Sequence, residues 1–164
     1  MNYIGFNTCD TANGPGIRVS LFVSGCRLHC KNCFNKDSWD FSAGKLFDAD
    51  IKMKILCALD HSYISGFSLL GGDPFEPEHE KQLVSLLRVI KSTYPDKEIW
   101  VWTGRKLDQI KQSPLMQYID YLVDGAFIEH LKDPHLLYRG SSNQKVWQCT
   151  DNVYKDVSAM YNKQ

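Results

Sequence analysis

Short apolar runs alternate along the chain with longer segments in which apolar residues recur every three or four positions. The runs predict strands that are covered on both faces, because such strands are apolar throughout. They lie at residues 17–23, 66–70, 98–103, 121–123 and 145–148. The spaced segments predict helices at residues 50–61, 78–93 and 106–112, and a further helix at 151–161.

This alternation predicts an α/β fold in which βα units build a mostly parallel sheet. Residues 7–16 are rich in turn formers and are predicted to form a loop, and residues 129–143 are predicted to be irregular. In parallel sheets, ligands bind at the carboxyl ends of the strands. The unusual residues of this chain follow the predicted strands there: a cysteine-rich loop at 25–35, Gly71-Gly72-Asp73-Pro74, Thr103-Gly104 and Asp124-Gly125.

The 164 residues are expected to form one domain spanning positions 1–164, long enough to bury its own core. The 19 basic and 19 acidic side chains balance, so no overall field attracts nucleic acid or an acidic membrane. The absence of a long apolar run and of a signal-peptide pattern predicts a soluble, cytoplasmic protein.

Half of the six cysteines cluster, which argues against a secreted disulfide framework. The scattered Cys9, Cys57 and Cys149 are expected to be ordinary small apolar residues.

The clustered cysteines are Cys26, Cys30 and Cys33, spaced C-x3-C-x2-C directly after an apolar run. Thiolates this close together on a turn can converge on one metal centre. A closed structural zinc or iron site needs four ligands, whereas a [4Fe-4S] cluster held by three thiolates leaves one iron open to another ligand. His29 is available as a ligand but is expected to be a solvated loop residue. From spacing alone, zinc and an iron–sulfur cluster both remain open.

With Gly71-Gly72-Asp73-Pro74 after the next strand, the cysteine motif resembles the radical S-adenosylmethionine (SAM) enzymes. In that family the three cysteines bind a [4Fe-4S] cluster, SAM chelates the open iron, and a Gly-Gly-Glu-Pro turn contacts the SAM amino group. The resemblance implies a single-domain partial (βα) barrel with [4Fe-4S] and SAM as cofactors. It assigns the metal to Cys26, Cys30 and Cys33. It places SAM beside Asn32, Phe34, Gly71, Gly72, Asp73, Thr103 and Asp124.

Longer stretches between about residues 10 and 147 resemble, within that family, the activating proteins of anaerobic ribonucleoside-triphosphate reductases. They are residues 10–18, 21–26, 100–104, 122–125, 131–134 and 139–144. One departure is Ala126, where a basic residue is expected. The resemblance implies that one electron from the cluster cleaves SAM to methionine and a 5′-deoxyadenosyl radical. That radical removes a hydrogen atom from a glycine of the large reductase subunit.

The resemblance also implies a flavodoxin-type electron donor, and it leaves a homodimer open. Contacts with the reductase are expected from Asp10, Asn13, Arg18, Arg139 and Asn143. For some of these residues a structural role is equally open, because Asp10 can cap a turn and Arg18 can pair with a strand neighbour. Residues 139–144 can close over SAM, dock the partner or form a solvated turn.

Two other functions remain as alternatives. The first is a zinc-binding interaction module without catalysis, which leaves the Gly-Gly-Asp-Pro turn unexplained. The second is a radical SAM enzyme that acts on a small molecule, of the deazapurine-forming type. The stretches Asn13-Gly14-Pro15-Gly16 and 139–144 favour the reductase-activating function over the small-molecule enzyme.

Overall fold

The computed structural model describes all residues from Met1 to Gln164. Eight strands form one sheet. The strands are β1 (Asn2–Asp10), β2 (Ile17–Val23), β3 (Lys45–Leu46), β4 (Ile64–Gly71), β5 (Glu98–Trp102), β6 (Tyr121–Asp124), β7 (Lys145–Thr150) and β8 (Val153–Asp156). The α-helices are α1 (Ala49–Leu59), α2 (Glu80–Thr93) and α3 (Leu107–Ile110). None of the helices combines the length and the apolar character that crossing a membrane requires.

The strands lie in the order β3-β1-β2-β4-β5-β6-β7-β8 across the sheet. The central strands β2, β4, β5 and β6 are parallel to their neighbours within that group. The strands outside them, β1 and β3 on one side and β7 and β8 on the other, pair antiparallel. The predicted α/β fold is therefore confirmed, with parallel pairing confined to the centre of a mixed sheet.

The helices pack on one face of the sheet, where the main core lies. Along β2, Val19, Leu21 and Val23 are fully buried there, because alternate residues of a strand point to the same face. In α1, Ile51 and Ile55 are four residues apart and so share one buried face. This alternation leaves every second residue of the central strands to the opposite face of the sheet.

That opposite face carries polar and aromatic side chains. Arg18 of β2 bonds to Ser68 of β4 there, and its guanidinium lies 5.9 Å from the ring centre of Trp100. Trp100 and Trp102 lie on the same face, as their spacing predicts, with ring centres 5.8 Å apart. This is the face that, at the carboxyl ends of the central strands, opens into a cavity.

Three predicted segments differ from the structure. Residues 7–10 belong to β1, so the predicted loop begins only after Asp10. The predicted helix at 151–161 is wrong, because Val153–Asp156 form β8 and only Ser158–Tyr161 form a short 3₁₀ helix. The predicted helix at 106–112 is shorter, ending at Ile110.

The six cysteines are all free thiols. Of the scattered ones, only Cys149 packs in the core as expected. Cys9 and Cys57 are exposed, so the expectation that they serve as buried apolar residues is wrong.

Candidate functional site

A cavity of about 610 Å³ lies where the parallel strands end, within the size range of small-molecule sites. Each parallel strand contributes a residue to its wall. Cys26 lies beyond β2, Gly71 ends β4, and Thr103 and Gly125 follow β5 and β6. The edge that the sequence singles out is therefore the edge that holds this cavity.

Cys26, Cys30 and Cys33 all line this cavity. Cys26 is buried, and the other two are half-buried. The loop turns sharply between them, since His29 and Asn32 have φ angles of 47° and 57°. The His29 ring stacks on Trp39 with ring centres 4.3 Å apart, so it does not join the thiols.

The surroundings of the Cys26 sulfur both oppose and support a thiolate. Burial raises the pKa of the Cys26 thiol, and the carboxylates of Asp73 and Glu76 raise it further. The backbone N–H groups of Leu28 and His29 beside this sulfur lower its pKa, because they stabilise the negative charge. Burial also raises the pKa of the Cys30 thiol.

The donor set fits an iron–sulfur cluster that keeps one iron open. Cys26, Cys30 and Cys33 place three soft thiol ligands on one wall, and the Cys33 sulfur accepts a 3.4 Å hydrogen bond from the backbone N–H of Asn35, a bond of the kind that tunes such clusters. No three His, Cys, Asp or Glu side chains are gathered closely enough to hold a metal ion directly. The thiols therefore face a shared space and do not form a closed four-ligand site.

Gly71 and Gly72 let the turn after β4 lie against the start of the cysteine loop. A Cβ on Gly71 would lie 2.4 Å from the backbone nitrogen of Val23, and one on Gly72 would lie 2.3 Å from the carbonyl oxygen of Gly25. Gly71 also has a φ of 117°, which favours glycine. Both residues border the cavity as predicted, but close backbone packing already explains the pair.

Asp73 is fully buried and does not line the cavity, so its contact with the SAM amino group stays a prediction. Its fully buried carboxylate accepts hydrogen bonds from the Thr103 hydroxyl at 2.9 Å and from the N–H groups of Phe75 and Gly104 at 2.9 and 3.2 Å. The Arg105 guanidinium lies 3.2 Å away. Burial raises the pKa of the Asp73 carboxyl, and these donors oppose that shift. Asp73 therefore fixes the loop after β5.

Thr103 and Asp124 have different roles in the structure. Thr103 lines the cavity, although its hydroxyl is used by Asp73. Asp124 is buried outside the cavity wall, and its carboxylate accepts a 2.7 Å hydrogen bond from the backbone N–H of Leu107. In this structure the Asp124 side chain holds the first residue of α3, and its place beside SAM stays a prediction.

Phe34 lies on the cavity wall, whereas Asn32 does not. Phe34 borders the cavity with its side chain 72% exposed and its ring centre 5.3 Å from that of Phe127. Asn32 is exposed outside the cavity wall and donates a hydrogen bond to Glu129. A direct contact of the Asn32 side chain with a ligand in this cavity is therefore not supported.

The loop after β1 is held in place by hydrogen bonds inside the protein. The Asp10 carboxylate accepts hydrogen bonds from the Asn13 side chain at 2.7 Å and from the Ser20 hydroxyl at 2.6 Å. Arg18 is fully buried and donates to the Ser68 hydroxyl at 2.7 Å and to several backbone carbonyls. Both side chains make internal hydrogen bonds, as the structural roles considered for them require, and their contacts with the reductase stay a prediction. Asn13 does border the cavity.

Residues 132–140 form the outer wall of the cavity and are anchored by residues 158–163. Arg139 lines the cavity, but its guanidinium donates to the carbonyl oxygens of Ser158 and Tyr161 at 3.1 and 3.0 Å. The backbone adds hydrogen bonds from Leu137 to Tyr161 and from Lys163 to His135. Arg139 therefore anchors this wall internally, and its contact with the reductase stays a prediction.

Asn143 is likewise an internal residue. Its side-chain amide donates a 2.8 Å hydrogen bond to the carbonyl oxygen of Ala126, and neighbouring Gln144 donates to that of Gly125 at 2.9 Å. The Gln144 side-chain oxygen accepts from the backbone N–H groups of Gly140 and Ser141. Residues 139–144 are thus a folded turn that holds the residues after β6, and the partner contact of Asn143 stays a prediction.

The sequence reasoning missed an ion-pair group behind the cysteine loop. The side chain of Glu76 is fully buried and pairs with Arg27 at 2.6 Å and with Arg105 at 3.3 Å. Arg27 also pairs with the exposed Glu78. The available signal was the run of acidic residues directly after the Gly-Gly-Asp-Pro turn, together with an arginine beside the first loop cysteine.

Comparisons with known proteins agree with this cavity and its thiols. A protein-family model described as a 4Fe-4S single cluster domain matches residues 12–147. A protein of Enterobacteria phage T4 is 41% identical over 155 residues, covering 94% of this chain and 99% of the relative. A Haemophilus influenzae protein is 46% identical over 148 residues, covering 88% and 96%, and one of Escherichia coli K12 is 43% identical over 150 residues, covering 89% and 97%. Each of these relatives is named as an anaerobic ribonucleoside-triphosphate reductase-activating protein.

Proposed function

The chain belongs to the family of anaerobic ribonucleoside-triphosphate reductase-activating proteins, and from this membership we propose that it activates such a reductase by radical SAM chemistry. The observation that carries the proposal is the position of Cys26, Cys30 and Cys33 on the wall of one cavity at the carboxyl ends of parallel strands. The product is a glycyl radical on the large reductase subunit.

In the proposed site, Cys26, Cys30 and Cys33 hold a [4Fe-4S] cluster through three of its irons. When bound, the reduced cluster supplies one electron that cleaves SAM to methionine and a 5′-deoxyadenosyl radical, which takes a hydrogen atom from the substrate glycine. The rest of the chain binds and orients SAM and excludes water from the site. No side chain needs to act as an acid or a base.

The SAM molecule is proposed to occupy the cavity between the cysteine loop and the glycine pair. Gly71, Gly72 and Thr103 form the wall beside the thiols. Phe34 and Phe127 form an apolar edge against which an adenine ring can pack, and this contact covers the exposed Phe34 side chain. The Lys132 ammonium group, 5.6 Å from the Phe34 ring centre, adds positive charge at the same edge for a carboxylate of the ligand.

Several wider features belong to the same proposal. Residues 1–164 are taken as a single domain, with the partial (βα) barrel of radical SAM enzymes as its fold. The electron donor is a flavodoxin-type protein, and the protein works in the cytoplasm, either alone or as a homodimer. These features follow from the family resemblance, and each is open to direct measurement.

The decisive experiment is anaerobic reconstitution with iron and sulfide, reduction, addition of SAM and chromatography for 5′-deoxyadenosine. Product that depends on the bound cluster supports the radical SAM chemistry. Adding the reductase large subunit and recording the electron paramagnetic resonance (EPR) spectrum of a glycyl radical then tests the substrate. A folded protein that holds zinc and forms no product would overturn the proposal. SAM cleavage without a glycyl radical on the reductase would favour a small-molecule substrate.

Replacing Asp73 by alanine is expected to weaken SAM binding by about tenfold while the bound iron is retained. The physical reason is that Thr103 and Gly104, which border the cavity, lose the carboxylate that fixes them, at about 1.4 kcal/mol for one charged hydrogen bond. Equilibrium dialysis of SAM against the reconstituted protein measures the effect.

Asp108→Ala is the matched control, because Asp108 is an exposed residue of α3 that pairs only with Lys111. Asp73→Asn, which keeps the size of the side chain, serves if the alanine variant unfolds. An unchanged affinity for SAM in a folded Asp73 variant would remove this role.

A further inference from the structure

We propose that Glu76 is a positioning residue that fixes Cys26 and sets the charge around the bound cluster. The inference rests on the proposed function only in so far as the cluster is held by the three loop cysteines. Glu76 does not touch the cavity. It acts through Arg27, the residue that follows Cys26 in the chain, and through Arg105 behind the cavity wall.

The first support is the bonding of the Glu76 carboxylate. One oxygen accepts the backbone N–H of Arg27 at 2.8 Å, and the other accepts its guanidinium at 2.6 Å. Arg105 approaches the first oxygen at 3.3 Å. The residue is 1% exposed, and a buried carboxylate is tolerated only when it is paired in this way. The backbone bond matters most, because it holds the main chain directly after Cys26.

The second support is that the same segment holds the main chain before Cys26. The backbone N–H of Asp73 donates to the carbonyl oxygen of Gly25 at 2.9 Å. The buried ring of His79 lies 2.8 Å from the carbonyl oxygen of Ser24 through Nε2. Residues 73–79 therefore hold the loop on both sides of Cys26. Within this group Glu76 supplies the only side-chain carboxylate that bonds to the loop backbone.

The third support is charge. Glu76 is fully buried, so its negative charge is weakly screened by water. A reduced cluster carries one more negative charge than an oxidised cluster, and nearby charge shifts its reduction potential. Removing the Glu76 charge leaves Arg27 and Arg105 less compensated, which favours the reduced form. Removing the Arg27 charge has the opposite effect.

The test measures the midpoint potential of the reconstituted cluster by redox titration followed by EPR. Glu76→Gln keeps the shape and one acceptor oxygen, and its potential is expected to be more positive than that of the wild type. Glu78→Gln is the matched control, because Glu78 also pairs with Arg27 but is exposed and holds no loop backbone. Its potential is expected to equal the wild-type value, since water screens the lost charge.

Arg27→Met provides the second arm, and its potential is expected to shift in the negative direction, because the buried Glu76 carboxylate then loses its 2.6 Å counter-charge. Arg27 is about half exposed, so Arg27→Met is expected to fold. It tests the effect of local charge on the potential even if circular dichroism shows that Glu76→Gln does not fold. Loss of iron from a folded Glu76→Gln protein also supports the positioning role. Wild-type potentials in both Glu76→Gln and Arg27→Met would overturn it. A wild-type protein that takes up no cluster would instead overturn the proposed function.

Discussion

Replacing Cys30 by alanine is expected to abolish the cluster absorbance and to lower SAM cleavage more than about 100-fold. Cys30 lies in the middle of the three thiols that line the cavity, and no other thiol and no imidazole lines the cavity to replace it. Two remaining thiolates do not complete the ligand set of a cluster whose fourth iron is already open. Iron and sulfide analysis after anaerobic reconstitution, together with the yield of 5′-deoxyadenosine, measures both effects.

Cys57→Ala is the matched control for this experiment. Cys57 is an exposed free thiol on α1, so its loss removes a cysteine without touching the cavity. The control is expected to bind iron and cleave SAM as the wild type does. Cleavage at the wild-type rate in Cys30→Ala would show that the loop cysteines are not the cluster ligands.

Replacing Arg18 by methionine is expected to lower the free energy of unfolding by about 3–5 kcal/mol. Methionine fills much of the space but leaves the carbonyl oxygens of Phe67 and Glu98 without the donors that lie at 3.0 and 2.7 Å. Ser68 loses a 2.7 Å donor as well. Burial already lowers the pKa of Arg18 to about 10, yet the side chain remains charged at neutral pH.

Urea unfolding of the cluster-free protein measures this effect, with Arg88→Met as the control. Arg88 is an exposed residue of α2, and its replacement is expected to change the stability by less than about 0.5 kcal/mol. The experiment also separates the two roles considered for Arg18. An Arg18→Met protein with wild-type stability that fails to activate the reductase would support the predicted contact of Arg18 with the reductase.

The centre of the fold could be predicted because its signals are local. The apolar runs that form β2 and β4 are buried on both faces, and α2 has a wide apolar stripe that ends at a Tyr-Pro-Asp sequence. The strands near the edges of the sheet gave weaker signals in the sequence. β1 is half-exposed and rich in polar residues, so its pattern is that of neither a buried strand nor a helix.

The segment after β7 shows why spacing alone misleads. Val153 and Met160 are four and three positions from Val157 and so match a helical face, yet they are 67% and 73% exposed. Asp151 and Asn152 have φ angles of 48° and 62°, which form a tight turn of the kind that joins two antiparallel strands. This dipeptide was the signal for a hairpin, and it outweighs the helical spacing.

The candidate site could be predicted in its location and its cysteines but not in the direction of its polar side chains. A strand end shows where Asp73 and Asp124 lie, because parallel strands share one edge. It does not show whether each carboxylate faces the ligand or a neighbouring loop. Both carboxylates turn inward and accept hydrogen bonds from the backbone N–H groups of Gly104 and Leu107. Only the tertiary structure shows the direction in which each carboxylate points.

The anchoring of the cavity wall by residues 158–163 has a consequence for biosynthesis. A growing chain emerges in order, so the cysteine loop and residues 132–140 leave the ribosome before the segment that ties that wall down. Until then the nascent protein lacks the hydrogen bonds from Arg139 to Ser158 and Tyr161. Its thiols therefore stay open to iron delivery and to oxidation until residues 158–163 have emerged.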